Sequence, residues 1–448
     1  MIKVLKNEKF QILLLVLICL FFFFFNLGGY KLIDVDEPRY AEAAREMIES
    51  SNWITPYFNY ELRFDKPVLF YWLIAISYLV FGVTEFAARF PSAVLSVLMV
   101  FFNYYFARKT ISKSFAFISS LILVSALEFI AIGRMSITDM TLAFFICATI
   151  YSGFLGSFVN NNMSKYWWWL AYLFSGLAVL TKGPVGFILP ALVFGIYFTL
   201  TGKLKENLKP SYSIPGFLIF ALTVVPWYYA IIKEHGMTFI NYFFLKHNLS
   251  RFANSGFGQH QQPFYFYFIV VFAGAFPWSI YFISAFAKHI KKLYEEFVEA
   301  KAFTPIFDLA FFKNSDGRTK VILYCILWFL CIFIFYSFSG AKLLTYILPV
   351  FPAIALLTGF IWDDFINNGK DSRNILICSV IWAVICLIMA FIMIFGFNKI
   401  LPRDEKLVFE YINISLILLF VLIPALVLFF IHKKRSFMAF LTVIFLMA

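Results

Sequence analysis

The sequence predicts an all-α, polytopic membrane bundle of about 12–13 transmembrane helices, and three observations predict it. Of 448 residues, 62% are hydrophobic and 62 are Phe, whereas soluble domains rarely exceed about half apolar. Apolar runs of about 20 residues recur along the chain, the length that 30 Å of hydrocarbon requires, and the alternating ten-residue segments of a spanning barrel are absent. Basic residues gather in short loops between those runs, the signature of topology.

In chain order, the first expected span is Phe10–Gly29, read as retained because it lacks a small-x-small cleavage site. A charged loop follows. Val68–Phe81 is apolar but short, which predicts an interfacial or re-entrant helix. Spans are then expected over Arg89–Ala107, Phe115–Gly133, Ile137–Val159, Trp167–Leu180, Val185–Leu200 and Ile214–Ile232. A second polar loop, Lys233–Gln262, precedes Phe264–Ala287. Further spans cover Val321–Phe338, Leu343–Trp362, Ile375–Phe397 and Ile412–Ile431, and another begins at Phe437. The whole is expected to form one transmembrane domain, residues 1–448, with outer loops at about 30–87 and 233–262.

Threading these spans with the N-terminus inside puts Arg108, Lys109, Lys113, Lys203, Lys205, Lys209 and the basic loop Lys288–Lys320 on the cytoplasmic side. The charged loop, Asp139, Lys182, the second polar loop and Lys342 then share the outer side. The net charge of +12 is accounted for by topology and excludes the need for a nucleic-acid partner. The six Cys all fall inside apolar runs without metal-ligand spacing, and read as small buried residues.

In a chain only 14% charged, the stretch Tyr30–Pro67 needs a reason for its charges. Asp36-Glu37-Pro38-Arg39 reads either as a helix start or as a carboxylate in general-base or ion-binding work beside an Arg fork suited to an anion. Asp65-Lys66-Pro67 is either a charged stop at the membrane edge or a site where Lys66 meets phosphate and Asp65 a cation. Asp139, at the lip of a span and five residues after Arg134, is costly there unless paired or functional. Lys182, in Thr181-Lys182-Gly183-Pro184, lies outside against the basic trend and suits phosphate. Lys342 and Tyr346, four apart, are expected on one helix face. His235, His247 and His260 are equal suspects on chemistry alone.

Taken in order, DEPRYAEAAREM, DKP before an aromatic helix, RF, TD, TKGP, KHNLSRF and SGAKLLTYILPVFPA resemble the bacterial membrane glycosyltransferases of the aminoarabinose lipid A transferase type. These are relatives of the protein O-mannosyltransferases and share the GT-C fold. The resemblance covers roughly Leu27–Pro352. It implies transfer of a sugar, with inversion, from a polyprenyl phosphate to a lipid A-like glycolipid on the outer side of the bacterial inner membrane. It further implies that Asp36, with Glu37 beside it, and Asp139 are the catalytic acids, and that Arg39, Lys66, Lys182 and Arg251 embrace the donor phosphate. Arg134, Lys342 and Tyr346 would bind substrate. Asp65 and His247 match positions that hold a divalent metal ion in relatives, although the family often has Glu where Asp65 stands. A C-terminal outer domain common in the family is expected to be absent.

No Gly-rich phosphate loop is present, consistent with a lipid phosphate rather than a nucleotide donor. A protein hydroxyl acceptor is the nearest alternative. A lipid or sugar transporter is the more distant one, and it would place its polar residues near mid-membrane on broken helices.

Overall fold

The computed structural model describes residues 7–33, 35–158, 163–250, 262–303, 310–396 and 406–447. Among the described residues, eighteen α-helices make up nearly all of the fold. The strands among these residues are one hairpin, Tyr57–Phe58 (β1) paired with Glu61–Leu62 (β2).

Glu8–Phe24 (α1) opens under an Asn7 cap whose side chain accepts from Phe10 N–H. The charged loop contributes Asp36–Glu49 (α2), and Leu69–Phe81 (α3) follows. At 13 residues, α3 is too short to cross a bilayer, as its sequence predicts. Glu85–Thr110 (α4) is capped by Thr84. Lys113–Val124 (α5) and Leu127–Gly133 (α6) are two arms of one apolar run, bent by 67°. Ser125 marks the break: its hydroxyl folds back on the Leu121 carbonyl and accepts from the Trp278 indole. Thr138–Phe158 (α7), Ser164–Lys182 (α8) and Val185–Leu200 (α9) then pack side by side.

Leu204–Asn207 (α10) is a single turn before the long Pro210–Ile240 (α11). Gly236, at φ +56°, breaks α11 where a side chain would be strained. A π-helical stretch, Asn241–Ser250, follows. Phe266–Gly274 (α12) and Ser279–Phe303 (α13) meet at 114°. Gly317–Ser337 (α14) leads through an extended link into the 3₁₀ helix Leu344–Val350, which runs into Phe351–Asn368 (α15). Ser372–Gly396 (α16), Lys406–His432 (α17) and Ser436–Phe445 (α18) complete the chain.

Among the described residues, six helices are long and apolar enough to cross a membrane, or eight if each bent pair is one span. Of the about 12–13 expected spans, two, Phe10–Gly29 and Val185–Leu200, form helices of 17 and 16 residues, shorter than a bilayer needs, and Ser125 and the turn at 275–278 bend two others. The 27-residue α17 covers a further expected span, Ile412–Ile431. The interior is apolar and aromatic, and all six Cys are buried and free.

Basic pairs gather at one end of the bundle. There Glu8 meets Arg108 and Lys113 at 2.9 Å, Lys203 reaches the Ser157 carbonyl, and Arg318 forks onto Asp364. The first residues of α2 and α7 and the last of α8 converge at the other end, away from those loops.

Candidate active site

The buried ion pair between Glu37 and Arg89 holds the charged loop in place. Both side chains are fully buried. Arg89 Nε and Nη2 donate to the two Glu37 oxygens at 2.9 and 2.8 Å, the bidentate geometry of a guanidinium fork. Its remaining donors reach the carbonyls of Leu27, Tyr30 and Lys31, and the Tyr30 ring lies 3.9 Å from the guanidinium carbon. Glu37 also accepts from the backbone N–H groups of Ile33 and Ser136. One carboxylate thus ties the loop, α4 and the entry to α7 together.

This corrects the expectation for Glu37. Its oxygens are saturated and sealed from solvent, so it positions the loop instead of acting on substrate. Asp36 comes next to it in sequence but projects to another side, because successive helical residues differ by about 100°. Asp36 is exposed, and among the described residues no ion pair claims it. Neither acid is the helix cap. Val35 holds that place without a side-chain bond, and Asp36 and Glu37 lie in the first turn, where the helix dipole favours negative charge.

Asp139 lies in the first turn of α7 and Lys182 is the last residue of α8. Lys182 Nζ donates to Asp139 Oδ1 at 2.6 Å, with each side chain only about a tenth exposed. The same ammonium sits 4.1 Å from the centre of the Tyr346 ring, a cation–π contact of about 0.5–2 kcal/mol. Three expected site residues from distant parts of the chain therefore meet. Gly183, at φ +89°, turns the chain immediately after Lys182, a conformation that L side chains rarely adopt.

Tyr40 connects this junction to Asp36. It is buried on α2 against Phe70 and Tyr71. Burial pushes its hydroxyl pKa well above the ordinary value, and Tyr71, Asp36 and Asp139 reinforce that shift against the pull of Arg63. The fields of Asp36 and Asp139 thus meet at one phenol. Arg63 lies over the Tyr40 ring at 5.4 Å, donates to the Tyr71 hydroxyl at 3.1 Å and faces Asp65 at 3.4 Å. Burial opposes its charge, but Tyr71, Tyr40 and Asp65 outweigh burial and hold the guanidinium protonated.

Arg89 and Arg63 are the residues that sequence reasoning missed in these roles. Arg89 belongs to a motif used for the resemblance but has no expected function, and Arg63 is masked by its neighbours Asp65 and Lys66. The only available signal was a charge at the start of an apolar run, which also marks plain topology.

Other expectations divide. Arg39 is exposed on α2, and Lys66 and Asp65 are half-buried ahead of α3. Arg134 does not face the junction. Its guanidinium donates to the carbonyls of Phe22 and Phe25 at 2.7 and 2.8 Å and so caps the C-terminal end of α1. Lys342 and Tyr346 do not share a helix face. Leu343 between them is extended, and Lys342 turns back to the Ser339 carbonyl at 2.8 Å while Tyr346 stands on the 3₁₀ helix.

His235 accompanies Glu234 on the Thr55 hydroxyl, tying the loop to α11. Trp72 and Trp227 reinforce it by donating to the carbonyls of Trp53 and Ile54. His247 lies on the π-helical stretch with its side chain outside the described residues, as are Arg251 and His260. Among the described residues no group of three His, Cys, Asp or Glu side chains is placed to hold a metal.

Lys182 has three N–H donors, of which Asp139 engages one. Replacing it with Met should lower transfer about 10²–10³-fold if it meets a departing phosphate, the range for losing one donor at developing negative charge. Adding Asp139→Asn should recover stability without recovering transfer, measured by thermal melts and turnover in detergent.

The profile of the dolichyl-phosphate-mannose-protein mannosyltransferase family matches residues 10–240. An uncharacterized protein of Aquifex aeolicus is 31% identical over 84% of this chain and 68% of its own length. The undecaprenyl phosphate-alpha-4-amino-4-deoxy-L-arabinose arabinosyl transferase 1 of Proteus mirabilis is 31% identical over 82% of this chain, and the match spans 61% of that enzyme. In three dimensions, ArnT of Cupriavidus metallidurans bound to undecaprenyl phosphate superposes with a TM-score of 0.74 at 23% identity, covering 97% of this chain and 76% of that one. The fold is thus the GT-C fold expected from the motifs, in a multi-pass membrane protein. With more than half its length matched, the chain belongs to the dolichyl-phosphate-mannose-protein mannosyltransferase family.

Proposed function

We propose that this protein transfers a sugar from a polyprenyl phosphate to a lipid A-like glycolipid at the outer face of the bacterial inner membrane. The observation that carries this reading is the meeting of Asp139, Lys182 and Tyr346 at the end of the bundle where Asp36 stands open. The arabinosyl transferases that the chain resembles act from undecaprenyl phosphate by name, and that supports the donor class.

In this reading the acceptor oxygen attacks the anomeric carbon while the bond from that carbon to the phosphate oxygen breaks, inverting the centre. Polyprenyl phosphate leaves with the bonding pair. Lys182, with Arg39, Lys66 and Arg251, answers its negative charge. Asp36 takes the proton when the acceptor is a hydroxyl, and orients the nucleophile when it is an already ionised phosphate. Asp139 holds the Lys182 ammonium in position. Tyr346 covers the apolar side of the same cation.

A divalent ion at Asp65 and His247 would add positive charge beside Lys66. Chelation should then slow transfer, and an unchanged rate would remove the ion from this reading. The test of the function is mass spectrometry of lipid A from cells with and without the gene, beside an Asp36→Ala strain. A sugar-sized mass lost in both supports the assignment, whereas unchanged lipid A moves the acceptor to a protein hydroxyl. Movement of substrate with no covalent product would favour a transporter instead.

A further inference from the structure

Glu128 is a third acid near the junction, and nothing above uses it. It sits in the first turn of α6 and is 8% exposed. Its Oε1 is buried with no hydrogen-bond partner, and among the described residues no cation pairs with it.

The surroundings of Glu128 are well fixed. The start of α6 is fastened to the turn after α12 by Leu127 N–H donating to the Phe276 carbonyl at 3.0 Å. The carboxyl lies against the bare backbone of Gly274: a Cβ built there would fall 2.2 Å from Glu128 Oε2 and 3.0 Å from the Phe351 ring. α6 packs on both α12 and the 3₁₀ helix that carries Tyr346. Asp139 lies within the electrostatic reach of Glu128, and Tyr267 within that of both acids. The Tyr267 hydroxyl in turn donates to the Leu343 carbonyl, at the entry to the 3₁₀ helix. Glu128 therefore lies beside the junction of Asp139, Lys182 and Tyr346, on a helix packed against the one that carries Tyr346.

A buried polar atom without a partner is unfavourable in the resting protein, and such atoms concentrate where something else completes them. The bland alternative is a carboxyl trapped by packing. Against it stands the place of the unpartnered oxygen, on a helix packed against the 3₁₀ helix that carries Tyr346.

We propose that Glu128 contacts the transferred sugar and selects it by hydrogen-bonding a hydroxyl or amino substituent of the ring. The inference rests on the transferase reading above. A site built to bond a polar substituent rejects an analogue lacking it far more strongly than an apolar wall distinguishes two similar groups.

The test uses the full chain in detergent, Glu128→Leu and Glu128→Gln variants, and two synthetic donors. These are polyprenyl phosphates of 4-amino-4-deoxy-L-arabinose and of L-arabinose, which differ by amine against hydroxyl. Glu128→Leu should keep or raise the thermal midpoint, because it removes an unpartnered polar group, while kcat/KM falls at least about tenfold with the better donor. If an amine is recognised, Glu128→Gln fails with the amino donor as the Leu variant does. If a hydroxyl is recognised, Glu128→Gln stays within about tenfold of the parent, since an amide still bonds it. Unchanged kcat/KM in Glu128→Leu overturns the proposal, as does a fall that accompanies a lost thermal midpoint in both variants. A parent protein that transfers neither sugar nor any other from a polyprenyl phosphate overturns the transferase reading, and this inference falls with it.

Discussion

Asp36→Ala is expected to abolish sugar transfer, by about 10²–10⁴-fold or more, the range for losing a positioned general base. The folded protein should survive. Asp36 is exposed, lies in the first turn of α2 and joins no ion pair among the described residues, so its removal costs only a favourable dipole contact of about 0.3–1 kcal/mol. Purified variant and parent should therefore melt within a few degrees of one another while turnover vanishes. Full transfer by Asp36→Ala would sink the assignment of this acid. An intact rate confined to a phosphate acceptor would instead separate the orienting role from the proton-accepting one.

The second large effect is on folding. Arg89→Leu should destabilise the protein by about 3–5 kcal/mol, the usual consequence of removing one partner of a buried pair. Three carbonyls, those of Leu27, Tyr30 and Lys31, lose their donor at the same time. Arg89→Lys should rescue little, because an ammonium cannot fork onto both Glu37 oxygens while reaching three carbonyls. Removing both charges in Arg89→Leu/Glu37→Leu should not restore stability either, since the N–H groups of Ile33 and Ser136 are then orphaned. Yield of monodisperse protein and the thermal midpoint measure this. Wild-type stability in Arg89→Leu would show that the clamp is dispensable.

Much of the scaffold was legible because hydrophobic length is a strong signal. Val185–Leu200 is a helix over the expected residues, and the short run after Pro67 is a short helix as its length requires. Counting spans put Asp36, Asp139 and Lys182 on one side of the membrane, and the structure brings the last two into contact. Their individual roles were harder to read. Asp36 and Glu37 are alike in sequence, and only the angle between adjacent helical positions makes one open and the other sealed. Arg134 and Lys182 both look like cations flanking a span, yet one caps a helix and the other meets an acid. A four-residue spacing suggested a shared face for Lys342 and Tyr346, and an extended residue before a 3₁₀ turn removed it. Glu128 gave no warning, because the fold alone brings Gly274 to it.

The connectivity of the clamp and the junction also orders the protein's biogenesis. A chain emerging from the ribosome displays the Asp36 loop long before α4 delivers Arg89. Until then Glu37 has no guanidinium, and the loop has no reason to take its final shape. Lys182 arrives later still, and Tyr346 last of all. Membrane insertion therefore precedes assembly of the Asp139–Lys182–Tyr346 junction, which forms only when segments already placed in the bilayer dock against one another. A ribosome stalled anywhere before the 3₁₀ helix leaves an inserted but unassembled protein, with its first loop open to proteases and chaperones.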